Sequence, residues 1–62
     1  MKEYIYVVDK VDTRTGDTTM ITAFYDVTKA AKYCDRENAY ANARPNDSCY
    51  KYVYNKVEIN KN

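Results

Sequence analysis

Only one segment of this 62-residue sequence has the spacing of a helix, and it lies between segments of strand-forming residues. In residues 27–44, small apolar residues recur at intervals that place them along one side of a helix. β-Branched and aromatic residues are concentrated in residues 3–11, 18–25 and 49–59, which predicts three strands. The predicted order is strand, strand, helix, strand, and a single helix can cover only one face of the resulting sheet.

Local signals predict where these elements begin and end. Residues 12–17 contain the single glycine, Gly16, and predict a hairpin turn in which this glycine has a positive φ angle. Asp26 is suited to cap the helix, because its carboxylate can accept hydrogen bonds from the first amides. Pro45 predicts that the helix ends before it, since the residue preceding a proline avoids the helical conformation. Residues 46–48 predict a second turn.

The apolar arc of the predicted helix is made of small side chains, which would let the helix lie close to the sheet. Its members are Val27, Ala30, Ala31, Cys34 and Ala41. Asn38 falls on the same arc, which predicts that the helix frays or bends at this position. We interpret Cys34 as a small core residue that faces the sheet.

The composition limits both the core and the available chemistry. The chain has 8 tyrosines and no leucine, so tyrosine rings must supply bulk that leucine usually provides. Its net charge of +1 is neither the acidic excess of a DNA mimic nor the basic excess of a nucleic-acid clamp. Without histidine, no side chain has an unperturbed pKa near neutrality, and so short a chain offers little burial to shift another one. We therefore expect a protein that is not an enzyme.

Cofactors, membranes and disulfides are not expected either. Cys34 and Cys49, without histidine, cannot supply the ligands of a structural zinc site. No apolar run is long enough to cross a bilayer, and the charged start of the chain is unlike a signal peptide. These features predict a cytoplasmic protein whose two thiols stay reduced.

Alternation with a period of two separates the predicted strands into two faces. The aliphatic face consists of Ile5, Val7, Val11, Val53, Val57 and Ile59. The tyrosine face consists of Tyr4, Tyr6, Tyr50, Tyr52 and Tyr54, in phase with Val8, Lys10, Lys56 and Glu58. In the second strand, Met20 and Phe24 are predicted to face the helix, and Ile21, Ala23 and Tyr25 to face away from it.

The order of the elements leaves few possible topologies. A right-handed crossover makes the second and third strands parallel, which places the first strand between them. The predicted fold class is α+β with ββαβ order: a three-stranded sheet of order 2-1-3 with one helix packed on one face. We expect residues 1–62 to form a single small domain. We expect the helix to cover the aliphatic face and to leave the tyrosine face open.

An open tyrosine face would suit protein binding, because tyrosine offers a large contact area with few rotatable bonds. The predicted partner-binding residues are Tyr4, Tyr6, Tyr50, Tyr52, Tyr54 and Lys56. Alternatively, the rings only stabilise a sheet poor in aliphatic residues, form a homodimer, or stack on single-stranded nucleic acid. Nucleic acid is the less favoured partner, because acidic residues oppose the lysines and the RNP motif is missing. A further alternative is that a partner binds by strand addition at the edge of the second or third strand.

A resemblance to small uncharacterised ββαβ proteins of bacteriophages and Gram-positive bacteria is carried by the segments EYIYVVD, AFYD and KAAKYC and by the closing tyrosine-rich strand. It extends over nearly the whole chain. The resemblance implies an accessory protein that binds a host protein and modulates it in the host cytoplasm. It implies no catalytic residues and does not identify the partner.

Overall fold

The computed structural model describes residues 3–44 and 49–59 and has the predicted order of elements. These elements are strand β1 (Glu3–Asp12), strand β2 (Thr18–Phe24), helix α1 (Val27–Ala43) and strand β3 (Tyr50–Ile59). Both β2 and β3 pair antiparallel with β1, and the sheet order is β2-β1-β3. The α+β class, the ββαβ order and the 2-1-3 strand order are confirmed. The turn predicted at residues 46–48 lies outside the described residues.

The turn between β1 and β2 has the predicted geometry. Gly16 has a φ of 81°, a conformation that other residues rarely adopt. Its amide donates to the carbonyl oxygen of Asp12 at 2.7 Å, and the Asp12 amide donates to the carbonyl oxygen of Asp17 at 2.8 Å. The Asp12 carboxylate also accepts from the Arg14 guanidinium and, at 2.9 Å, from the Arg14 amide. The hydrogen bond from the guanidinium has the larger effect and the bond from the amide the smaller one. Together they hold the pKa of Asp12 below its ordinary value.

Helix α1 begins and ends where the sequence predicts. The Thr28 amide donates to Oδ1 of Asp26 at 2.8 Å, so Asp26 is the N-cap. The helix ends at Ala43, and Arg44 is extended with φ −114° and ψ 113°, as a residue before proline should be. The helix is continuous through Asn38, so the prediction of fraying at this residue is wrong.

The helix packs on the tyrosine face and not on the aliphatic face. Val8, Ala30 and Cys34 form the buried cluster. The partly buried side chains packed against this cluster are Tyr6, Phe24, Tyr33 and Tyr52. The prediction that the helix covers the aliphatic face and leaves the tyrosine face open is therefore wrong. The physical reason is complementary size, because the small side chains of α1 leave room for large rings on the sheet beneath them.

A bulge in β2 changes which side its residues face. Thr22 and Met20 lie opposite the consecutive residues Val8 and Asp9 of β1, so Ile21 is an extra residue in the ladder. Met20 shares the face of Asp9 and is 64% exposed, which contradicts the prediction that it faces the helix. A strict period of two fails beyond a bulge, because the extra residue shifts the alternation.

Candidate functional site

The tyrosines predicted as a binding surface do share one face of the sheet. In the ladder between β1 and β3, Tyr6 lies opposite Lys56, and Lys10 lies opposite Tyr52. Residues directly opposite each other in an antiparallel pair point to the same side. The tyrosine face is therefore continuous across the two strands, as predicted, but α1 lies across it.

The middle of the tyrosine face belongs to the core. Tyr6 and Tyr52 pack against the buried cluster of Val8, Ala30 and Cys34. These two predicted binding residues are half-buried beneath the helix, so their rings stabilise the fold. A partner that needed all five rings as one open platform would have to displace α1.

Of the remaining predicted binding residues, Tyr4, Lys56 and Tyr50 lie towards the two ends of the tyrosine face. At one end, Nζ of Lys56 is 4.1 Å from the centre of the Tyr4 ring. Tyr54 lies opposite Val8 in the middle of the ladder and is 41% exposed. At the other end, Nζ of Lys10 is 4.0 Å from the centre of the Tyr50 ring. These cation–π contacts occupy ring faces on which a base would have to stack. The predicted site is thus divided among the two ends and the exposed ring of Tyr54.

A cleft of about 300 Å³ lies between the carboxyl-terminal half of α1 and the Tyr50 end of the tyrosine face. Its lining residues are Lys10, Glu37, Tyr40, Ala41, Arg44, Tyr50 and Tyr52. The lining carries charges of both signs, and the last carbonyls of α1 add partial negative charge. The cleft therefore does not select for an anion or for a cation.

The outer edge of β3 is covered at Tyr52 by a side chain of the helix. Nδ2 of Asn38 donates to the carbonyl oxygen of Tyr52 at 3.0 Å, and Oδ1 of Asn38 accepts from the Tyr52 amide at 2.8 Å. On the inner side of β3, just beyond the Asp12–Tyr50 pair, the amide and the hydroxyl of Thr13 both donate to the carbonyl oxygen of Cys49. Sequence reasoning missed this role of Asn38. The available signal was its place on the apolar arc, where a polar group facing the sheet needs a hydrogen-bond partner.

The outer edge of β2 lacks such cover in the part of the chain that the structure describes. Among residues 3–44 and 49–59, no side chain donates a hydrogen bond to a backbone group of β2 or accepts one from it. The strand contains no charged residue and no proline. Ile21, at its bulge, is 41% exposed. The two edges of the sheet therefore differ in their protection.

The aliphatic face is the side of the sheet on which α1 does not pack. Val7 lies opposite Ala23, so β2 extends this face and Ala23 points away from the helix, as predicted. Val57 is 43% exposed. Near the middle, Nδ2 of Asn55 donates to Oδ2 of Asp9 at 3.2 Å. Exposed apolar surface of this kind is typical of interaction sites.

The described residues offer little reactive chemistry. Neither cysteine is in a disulfide bond, and Cys34 is buried, as predicted for a core residue. Burial, followed by the negative charge of Asp35, raises the pKa of the Cys34 thiol, which favours its unreactive protonated form. Within residues 3–44 and 49–59, no three carboxylate or thiol side chains come together as metal ligands would. The helix that the structure describes is neither long nor apolar enough to cross a bilayer.

Comparisons with protein-family models, with curated proteins and with solved structures find no match to this chain. No residue role is therefore transferred from another protein.

Proposed function

We propose that this chain is a phage-type accessory protein that acts by binding another protein, without catalysis, and that the partner adds a strand at the outer edge of β2. The difference between the two sheet edges carries this proposal. Asn38 occupies the outer edge of β3 at Tyr52, whereas no described side chain occupies the edge of β2. Unpaired backbone groups along an edge strand form a template for an extended segment of another chain.

The sequence of β2 supports this use of its edge. Edge strands are commonly protected by charged residues or proline, and TTMITAF contains neither. Met20 and Ile21 are 64% and 41% exposed. In strand addition, backbone hydrogen bonds provide affinity while neighbouring side chains provide specificity. The exposed side chains of Met20 and Ile21 are placed to provide this specificity.

The bulge at Ile21 limits what can bind. It interrupts the regular spacing of backbone groups along β2, so a segment can pair with only part of this strand. Bulges also protect edges against pairing with long strands of other copies. The proposed partner therefore presents a short extended segment, such as a loop or a chain terminus.

The resemblance to proteins of bacteriophages and Gram-positive bacteria adds the expectation that the partner is a host protein inside the host cell. The absence of histidine and the burial of Cys34 favour binding over catalysis. Extract of a Gram-positive bacterium is therefore the appropriate source of partners.

Capture of proteins from such an extract tests the proposal, with two matched variants. Ile21→Lys places a charge at the edge of β2, whereas Val27→Lys places the same charge at the first residue of α1. Both positions are 41% exposed, so the fold should tolerate both substitutions. We expect the same captured protein on the unchanged chain and on Val27→Lys, and at least about tenfold less on Ile21→Lys.

Amide hydrogen exchange of the resulting complex then locates the contact. Exchange should slow along Thr18–Phe24 and stay unchanged along Tyr50–Ile59. Equal capture by Ile21→Lys, or protection confined to β3, would contradict strand addition at β2. Loss of capture by Val27→Lys alone would instead place the partner on α1.

A further inference from the structure

We infer that the aliphatic face binds a second copy of this chain, which makes the protein a dimer with its two sheets packed face to face. This surface lies opposite α1 and leaves the outer edge of β2 accessible. The inference therefore goes beyond the proposed function, and either can fail without the other.

The small size of the core is the first reason to expect a second copy. Val8 is the largest fully buried side chain, and its partners in the cluster are Ala30 and Cys34. Small domains with so little core usually depend on disulfides, metals or association for stability. The described residues contain no disulfide and no cluster of metal ligands. A second copy on the aliphatic face would bury apolar surface that the single chain leaves exposed.

The area of the face is the second reason. Strands of this length, three abreast, cover roughly 30 by 14 Å, on the order of 420 Å² in projection. Packing two such faces together buries on the order of 850 Å² in total, the size of weak, transient interfaces. The face is thus large enough for a dimer that forms and dissociates with concentration.

The distribution of charge on this face favours one arrangement of the two copies. Glu3 lies at one end of β1, whereas Lys51 lies opposite Val11 at the other end. If a two-fold axis lies between the sheets and crosses the strands near Val7, the strands of one copy run antiparallel to those of the other. Each Lys51 then lies over the Glu3 end of the other copy. A parallel arrangement would instead place like charges together.

Asp9 is the charged residue nearest the centre of the face, and the antiparallel arrangement also accommodates it. The two Asp9 residues are then separated along the strands by the length of four residues, about 13 Å. Each keeps its hydrogen bond from Asn55, which compensates in part for the loss of water. Because Asp9 still carries a charge into an apolar contact, Asp9→Asn should strengthen the dimer.

Sedimentation equilibrium over a range of concentrations tests this inference. The mass of the unchanged chain should rise from 7.3 kDa towards twice that value as concentration increases. Val57→Lys should stay monomeric, whereas Val27→Lys should dimerise like the unchanged chain. The two residues are 43% and 41% exposed, so the two substitutions are matched in type and in exposure. Asp9→Asn should dimerise at several-fold lower concentration.

A second measurement does not depend on any variant. In NMR spectra of the unchanged chain, methyl signals of Val7 and Val57 should shift with concentration, while those of Val27 should not. A mass of 7.3 kDa at every concentration overturns the inference. Dimerisation of Val57→Lys, or concentration-dependent shifts confined to Ile21, also overturns it, because the contact would then lie elsewhere.

Discussion

Asn38 forms with Tyr52 the two hydrogen bonds that a neighbouring strand would otherwise form, at 3.0 Å to the carbonyl oxygen and 2.8 Å from the amide. Asn38 lies on the same side of α1 as Cys34 and Ala41, which are buried. The side of the helix that packs on the sheet therefore also covers the outer edge of β3 at Tyr52. One polar residue on the apolar arc couples the position of the helix to the position of an edge strand.

Asn38→Ala should destabilise the protein by about 2 kcal/mol, because both backbone groups of Tyr52 lose their partner in a partly buried place. Asn42→Ala is the matched control, since it makes the same change one turn later at an exposed position. The control should be neutral or slightly stabilising, because alanine is the better helix former. Urea unfolding of both variants measures the difference. Equal stability of the two variants would show that the hydrogen bonds to Tyr52 contribute nothing.

Val8→Ala and Val7→Ala test which side of the sheet holds the core. Val8 is 0% exposed beneath α1, so its truncation should lower the free energy of unfolding by about 2 kcal/mol. Val7 lies on the aliphatic face, so Val7→Ala should cost less than half as much at concentrations where the chain is monomeric. Chemical denaturation at low protein concentration provides the comparison. A larger cost for Val7→Ala would place the core on the aliphatic face.

Gly16→Ala should lower the melting temperature by about 5 °C, corresponding to about 1 kcal/mol in a chain of this size. An added Cβ at Gly16 meets no atom within 4 Å, so the cost arises from the φ of 81° alone. Gly16→Asn should lose less, because asparagine adopts positive φ angles more readily than alanine. Thermal unfolding followed by circular dichroism measures both. A Gly16→Asn loss as large as that of Gly16→Ala would contradict the assignment of the cost to the backbone angle.

Burial of Cys34 predicts a loss of stability at alkaline pH. Because the pKa of this thiol is raised above its ordinary value of 9.0, the folded chain holds the proton to higher pH than the unfolded chain. The contribution is fully present below the unfolded-state pKa and is lost as pH rises through the raised folded-state pKa. Cys34→Ala should therefore flatten the decline in unfolding free energy above about pH 9. Cys49→Ala is the control, and identical declines in both variants would exclude Cys34 as the cause.

Local chemistry predicted the elements and their boundaries with little error. Asp26 caps the helix, Gly16 has the positive φ angle, and Arg44 before Pro45 leaves the helical conformation. Each of these effects acts over a few bonds, so it can be predicted from neighbouring residues alone. The strand order also followed from the sequence, since the handedness of a crossover allows few alternatives.

The candidate site was predicted less well, because a period of two separates two sets of side chains without saying which set meets the helix. The aliphatic residues were assigned to the core on hydrophobicity alone. Val8, in phase with the tyrosines, and the small side chains of Ala30 and Cys34 were the signals that pointed the other way. Large rings beneath a helix of small residues fill space well, and this match of sizes outweighed aliphatic character.

The sequence by itself therefore determined the elements, their ends and the topology, since these depend on local backbone preference and chain connectivity. Only the tertiary structure decided which face of the sheet is covered, where β2 bulges at Ile21 and which edge Asn38 closes. Those three features depend on contacts between residues far apart in the chain. Such contacts are selected by the fit of whole surfaces, which a pattern along one segment does not contain.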